Sequence, residues 1–204
     1  AANFAQAFGE TELAAKYRAV TDEMKQAMVR HLFHRDLNRF AKTAYPKPDG
    51  TSHLDTTIDA SLCALWYFDV FPLTDPLVES TMRAIHERLW VKTPVGGMAR
   101  YEGDAYHQVE RNDIQKVPGN PWFICTLYWA HYLTARAKAP EDLKGPLQIL
   151  EWVAEHALPS GVLAEQVNPH TGEPLSVSPL TWSHAAFVSA VIEYLERQHA
   201  LGHA

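Results

Sequence analysis

Glu165 is the carboxylate whose surroundings most suggest chemistry. It follows Leu163 and Ala164 in the stretch 158–187, LPSGVLAEQVNPHTGEPLSVSPLTWSHAAF, and precedes an apolar, small-residue segment. Loops carried on rigid scaffolds are where catalytic groups concentrate. A loop glutamate flanked by apolar residues can serve as a positioned general base. The same residue can also be a solvated loop acid, and the loop alone leaves both readings open.

A second cluster lies in 96–106, GGMARYEGDAY, and continues through 118–126, PGNPWFICT. Arg and Asp side chains make paired hydrogen bonds, and vicinal hydroxyls suit them. An aromatic face such as Trp122 can stack on the C–H face of a sugar ring. Such a set suits carbohydrate. Trp122 can equally be a core residue at a helix start, and Arg100 a surface ion pair.

These loops are spaced by helices. Leu13, Tyr17, Val20, Met24, Met28 and Leu32 recur at three- and four-residue steps. So do Val78, Met82, Ile85 and Leu89, and then Leu143, Leu147, Leu150, Val153 and Ala157. Each series predicts a helix with one wet face. The segments 58–68, 122–137 and 182–195 are apolar or small around most of their circumference, which predicts burial on several sides.

The expected helices are 11–32, 55–70, 75–90, 120–137, 141–157 and 181–199, after a short first helix over 3–8 that Gly9 ends in a left-handed conformation. Asp75-Pro76, Asn120-Pro121 and Ser178-Pro179 read as helix starts, and Asp55 as a helix cap. Glu141 and Asp142 after Pro140 suit a helix N-terminus. Connections alternate between short (71–74, 138–140) and long (33–54, 91–119, 158–180). With antiparallel neighbours, all three long loops fall on one rim. Long loops in a compact domain point to function. The expectation is all-α: part of an α/α toroid, with an α-solenoid of helical pairs as the other arrangement.

Composition narrows the partners. The 204 residues are 47% hydrophobic and 21% charged, with a net charge of −6. One soluble domain, or a large part of one, fits these values. No Lys/Arg block suits a phosphate backbone, so no nucleic-acid partner is expected. The longest apolar run, 122–133, is too short for a membrane span and contains His131. Residues 1–20 lack a basic start and a signal-like apolar core, so a cytoplasmic location is expected. Cys63 and Cys125 read as reduced, buried thiols. His31 and His34 lack further ligands in a zinc pattern. No G-x-S-x-G turn or phosphate-cradling glycine loop is present, and no metal or cofactor is expected.

RYEGDAY (100–106), GNPWFICT (119–126) and the whole of 158–187 together resemble glycoside hydrolase family 15, the glucoamylase family. The resemblance runs over nearly the whole chain, with three motifs in the family's order. It implies about half of a six-fold α/α barrel, the C-terminal portion over 1–204, that removes glucose from α-linked glucosides with inversion. It implies Glu165 as general base. It further implies that Arg100 and Tyr101 contact the terminal glucose, that Tyr106 and Trp122 line the pocket, and that Asp104 supports the arginine loop. The substrate would be a maltooligosaccharide, an isomaltooligosaccharide or trehalose. The family's general acid lies on a loop upstream of the match to Ala1, and no acid motif is found here. Glu102 is on the expected rim but at a sugar-loop position. The expectation is therefore a chain inactive alone, whose exposed inner helices pair with the missing N-terminal half or with a second copy. A non-catalytic regulatory or protein-binding helical module of the same fold is the other reading.

Overall fold

The computed structural model describes residues 1–202. Seven α-helices carry the chain: α1 Ala2–Ala7, α2 Thr11–Leu32, α3 Ala64–Tyr67, α4 Pro76–Leu89, α5 Phe123–Arg136, α6 Lys144–Glu155 and α7 Thr181–Gly202. One-turn 3-10 helices at Ala60–Cys63 and Pro140–Leu143 lead into α3 and α6. The arrangement is part of a six-fold α/α barrel, as expected.

Several boundaries follow from local chemistry. Asp75 accepts a hydrogen bond from Leu77 N at 2.8 Å, with Pro76 at the first helical position of α4. Gly9 turns the chain after α1 at φ +79°. Asp142 Oδ2 accepts from Lys138 N and Ala139 N, closing the turn before α6.

Other expectations are corrected. The helix expected over 55–70 occupies only 60–67, because 52–55 pairs with 43–46 as a hairpin and Asp55 caps a turn at Thr57 N. Asp59, not Asp55, caps the helical segment, accepting from Ser61 N. Asn120 caps nothing; α5 begins after Trp122, and the Asn120 amide instead ties loops together. The long loops contain short antiparallel ladders: β1 Phe33–His34 with β2 Arg39–Phe40, β3 Thr43–Pro46 with β4 Ser52–Asp55, and β5 Gln166–Val167 with β6 Pro174–Leu175.

Two hydrophobic clusters meet at α5. One gathers Val78, Met82, Ile85 and Leu89 of α4 with Ile58, Leu65, Trp66 and the Cys125–Tyr132 side of α5. The other joins Phe123 and Leu127 to Leu150 and Val153 of α6 and Ala190 and Tyr194 of α7. So α5 is buried on several sides, as its composition predicts. Both cysteines are free and buried. Burial pushes the Cys63 thiol up to about 12, with Asp59 adding to the shift.

Helices α2 and α7 differ. The apolar stripe expected to bury α2 is open at Leu13, Tyr17, Val20 and Met24, and only Met28, Val29 and Leu32 reach the core. The physical reason is that α2 packs mainly against the short helix α1, which is too small to cover the stripe. On α7, Trp182, Val188, Ile192 and Leu195 are each at least half exposed. Each large aliphatic side chain left in water forgoes roughly 1.5–3 kcal/mol of burial. Among the described residues, no helix is long and apolar enough to cross a membrane.

Candidate functional site

Backbone pairing draws the long loops together at the N-terminus of α5. Asp59 bridges Tyr101, Ala99 bridges Pro121, and Trp122 bridges Gln166. Ala60 N donates to Arg100 O and Phe123 N to Glu165 O. Thr126 Oγ1 accepts from Met98 N at 2.9 Å and donates to Trp122 O at 2.7 Å. The close approach requires glycine at 97: φ is +81°, and a Cβ there would stand 2.7 Å from Trp152 and 2.8 Å from Pro121 Cβ. The loops 91–119 and 158–180 thus share one rim, which Lys42 of 33–54 reaches at the Tyr101 ring.

Arg100 is held by Asp104 in a two-point contact, Nε to Oδ2 at 2.9 Å and Nη2 to Oδ1 at 2.7 Å. Asp104 is fully buried and also accepts from Tyr106 N. Burial alone would lower the arginine's pKa, but Asp104 outweighs it and the pKa is raised. The guanidinium carbon lies 4.4 Å from the Trp122 ring centre, 4.9 Å from Tyr101 and 5.5 Å from Tyr106. Cation–π contact of this kind favours a fixed arginine.

Trp122 is 2% exposed. It is a wall of the site with one face turned to Arg100, rather than an open stacking platform. Its indole Nε1 is buried and finds no hydrogen-bond partner among the described residues. Tyr106 is 43% exposed at the outer edge.

Glu165 is 8% exposed, and its carboxylate is oriented by neighbours. Ser176 Oγ donates to Oε2 at 2.5 Å, and Gln166 Nε2 lies 3.4 Å from the same oxygen. Gln166 is itself fixed by Asn120 Nδ2, which donates to its Oε1 at 2.8 Å. Ser176 adopts φ +64°, an uncommon backbone state for a non-glycine residue, and it is the residue that reaches Glu165. The start of α7 fixes the preceding pair. His184 Nε2 accepts from Leu163 N at 3.0 Å, and Ser183 Oγ donates to Ala164 O at 2.9 Å.

A cavity of about 430 Å³ opens beside this cluster, lined by Asp59, Cys63, Arg100, Tyr101, Trp122 and Tyr128 among others. Of the six residues picked out by sequence, Arg100, Tyr101 and Trp122 line it. Asp104 stands behind Arg100, while Glu165 and Tyr106 flank Trp122 without lining the cavity.

Sequence reasoning missed the supports. Asp59 is buried, lines the cavity and pairs with Lys42 at 2.9 Å; its hydrogen bond is the main reason the Lys42 pKa is raised. Lys42 also sits 4.6 Å from the Tyr101 ring centre. The only available signal was Asp two residues before Ser61, a capping pattern. Ser176, Gln166 and Asn120 carried no local signal, since their roles depend on loops distant in sequence. Glu102 is committed to Arg88 in an ion pair.

Comparison with known proteins gives the family. The model of glycosyl hydrolases family 15 matches residues 1–151 and 145–192, and the chain belongs to that family. An uncharacterized glycosyl hydrolase of Methanocaldococcus jannaschii is 30% identical over 83% of this chain and 26% of its own length. A trehalase of Mycobacterium tuberculosis is 25% identical over 97% of this chain and 26% of its own. The crystal structure of a bacterial glucoamylase complexed with acarbose superposes with a TM-score of 0.77 at 21% identity, over 97% of this chain and 32% of that one. The chain therefore spans about a quarter to a third of the length of these proteins.

Proposed function

We propose that this chain supplies the general base and part of the glucose pocket of an inverting, exo-acting α-glucosidase of glucoamylase type. Family membership supports glycoside hydrolysis as the chemistry. The observation that carries the finer reading is the setting of Glu165: a nearly buried carboxylate, aimed by Ser176 and Gln166, one residue from the strand that pairs with Trp122.

Inversion needs two carboxyl groups about 6.5–9.5 Å apart, with a water between the base and the anomeric carbon. One protonates the leaving oxygen; the other removes a proton from the water as it attacks. Glu165 takes the second part. Arg100, locked by Asp104, donates to hydroxyls of the terminal glucose, with Tyr101 and Tyr106 beside it. Trp122 sets the position of both, through its ring on one side and its bridge to Gln166 on the other. The guanidinium is organised before substrate arrives, so little ordering cost falls on binding.

Three rim carboxylates are engaged with cations: Asp59 with Lys42, Glu102 with Arg88 and Asp104 with Arg100. None is available as a proton donor to a leaving group. As the family resemblance implies, the general acid is supplied from outside residues 1–204, and this chain alone is inactive toward unactivated glucosides. The open faces of α2 and α7 are where the remainder of the barrel, or a second copy, packs. The substrate is an α-glucoside: a maltooligosaccharide, an isomaltooligosaccharide or trehalose.

Titration with acarbose tests the pocket. Binding that Arg100→Ala abolishes is expected. Binding unaffected by Arg100→Ala, or an absence of binding by a folded chain, would reject the reading.

A further inference from the structure

Away from the rim, helices α4 and α6 leave a trench whose floor is α5. Two connected grooves of about 370 and 250 Å³ run along it and share His86, Trp129 and Leu133. Neither has a lining residue in common with the cavity beside Arg100. We propose that this trench is a second carbohydrate-binding site, taking a stretch of glucan chain rather than its non-reducing end.

The floor is a column of rings. His86 stacks on Trp129 at 4.5 Å and 17°, and Trp129 on Tyr132 at 5.1 Å and 28°. Trp90 and Trp152 extend the apolar surface at the α6 end. Trp129, Trp90 and Trp152 are each half-buried. The pyranose C–H face suits such surface.

The rim of the trench supplies the polar partners. Glu79, paired with Arg136, stands at one end with Arg83 and Glu87. Gln148 edges the other end. Burial lowers the proton affinity of His86, with Glu87 opposing, which favours a neutral imidazole that both donates and accepts.

The alternation of charge selects the class of ligand. Two carboxylates among the arginines repel a phosphate chain, and the charged rim is unlike the apolar groove that takes an amphipathic helix. Neutral polyhydroxylated rings satisfy both signs, since each hydroxyl donates and accepts. An open trench suits internal units of a chain, whereas the rim cavity suits an end. The choice of an α-linked glucan rests on the function proposed above; the trench itself does not.

Maltoheptaose titrated calorimetrically into the Arg100→Ala chain tests this, because the rim pocket is then disabled. A residual site is expected, and Trp129→Ala added to it should weaken binding about tenfold. Arg83→Glu and Gln148→Ala change only exposed rim residues, and each should weaken the residual site severalfold even if Trp129→Ala fails to fold. Loss of all binding on Arg100→Ala alone would overturn the proposal, as would residual binding that the rim variants leave unchanged. If acarbose fails to bind at Arg100 while the Trp129-dependent site persists, the rim reading falls and the trench stands.

Discussion

Helices α5 and α7 read alike in sequence, apolar or small around most of their circumference, yet the structure treats them differently. Phe123 and Leu127 of α5 are fully buried, and the helix lies between two hydrophobic clusters. On α7 the stripe Val188, Ile192 and Leu195 faces solvent. An all-round apolar helix therefore records the neighbours it was built for. Where helices of the chain cover it, as on α5, the helix is enclosed; on α7 an apolar face stays open. Glu165, Arg100 and Trp122 all hang from the enclosed end of α5, whose packing is complete within the chain.

Phe123→Ala should cost about 3–5 kcal/mol of stability, since the cavity it leaves is closed on all sides. Ile192→Ala should change stability by no more than about 0.5 kcal/mol, as expected of an exposed position. Urea unfolding of both variants checks the contrast; equal losses would break it. Asp104→Ala should cost about 1–3 kcal/mol by removing the partner of a partly exposed arginine and the acceptor of Tyr106 N. It should also remove acarbose binding, a loss that Ile192→Ala does not share. Gly97→Ala should cost about 1–3 kcal/mol, because Trp152 and Pro121 Cβ must both give way.

Association sharpens the same contrast at smaller cost. Val188→Asp should leave the unfolding midpoint nearly unchanged and shift sedimentation toward monomer, or reduce pairing with the remainder of the barrel. A wild-type chain that remains monomeric at high concentration, and gains nothing from the remainder, would remove the reason to regard that face as an interface.

Much of this was legible in the sequence. Helix periodicity located α2, α4 and α6, all-round apolar composition located α5 and α7, and Asp75-Pro76 marked a true start. The helix expected over 55–70 shrank because residues 52–55 found strand partners at 43–46, a long-range choice that composition does not encode. The support of Arg100 by Asp104 was an expectation from the family resemblance rather than from their spacing. The hold of Ser176 and Asn120 on the Glu165 segment was not, because it depends on a hairpin and on a loop some distance away. The solvent-facing stripe of α2 was misread as buried: periodicity tells which face is apolar, but not whether a neighbour is there to cover it.

The smallest effect concerns pH. His86 binds protons less readily folded than unfolded, so its contribution to stability is present above its unfolded pKa near 6.5 and declines as pH falls through the folded value. His86→Phe keeps a ring against Trp129 and should flatten the dependence of the unfolding midpoint between pH 5 and 7. An unchanged slope would place that titration elsewhere, away from α4.

The central claim is that Glu165 is the base of a catalytic pair whose acid lies outside these residues. α-Glucosyl fluoride tests it directly, because fluoride departs with little need for a proton donor. The chain should hydrolyse α-glucosyl fluoride to β-glucose, fail to release glucose from maltose or trehalose, and lose fluoride turnover by at least about a hundredfold in Glu165→Gln. Release of glucose from maltose by this chain, or fluoride hydrolysis indifferent to Glu165→Gln, would contradict the account.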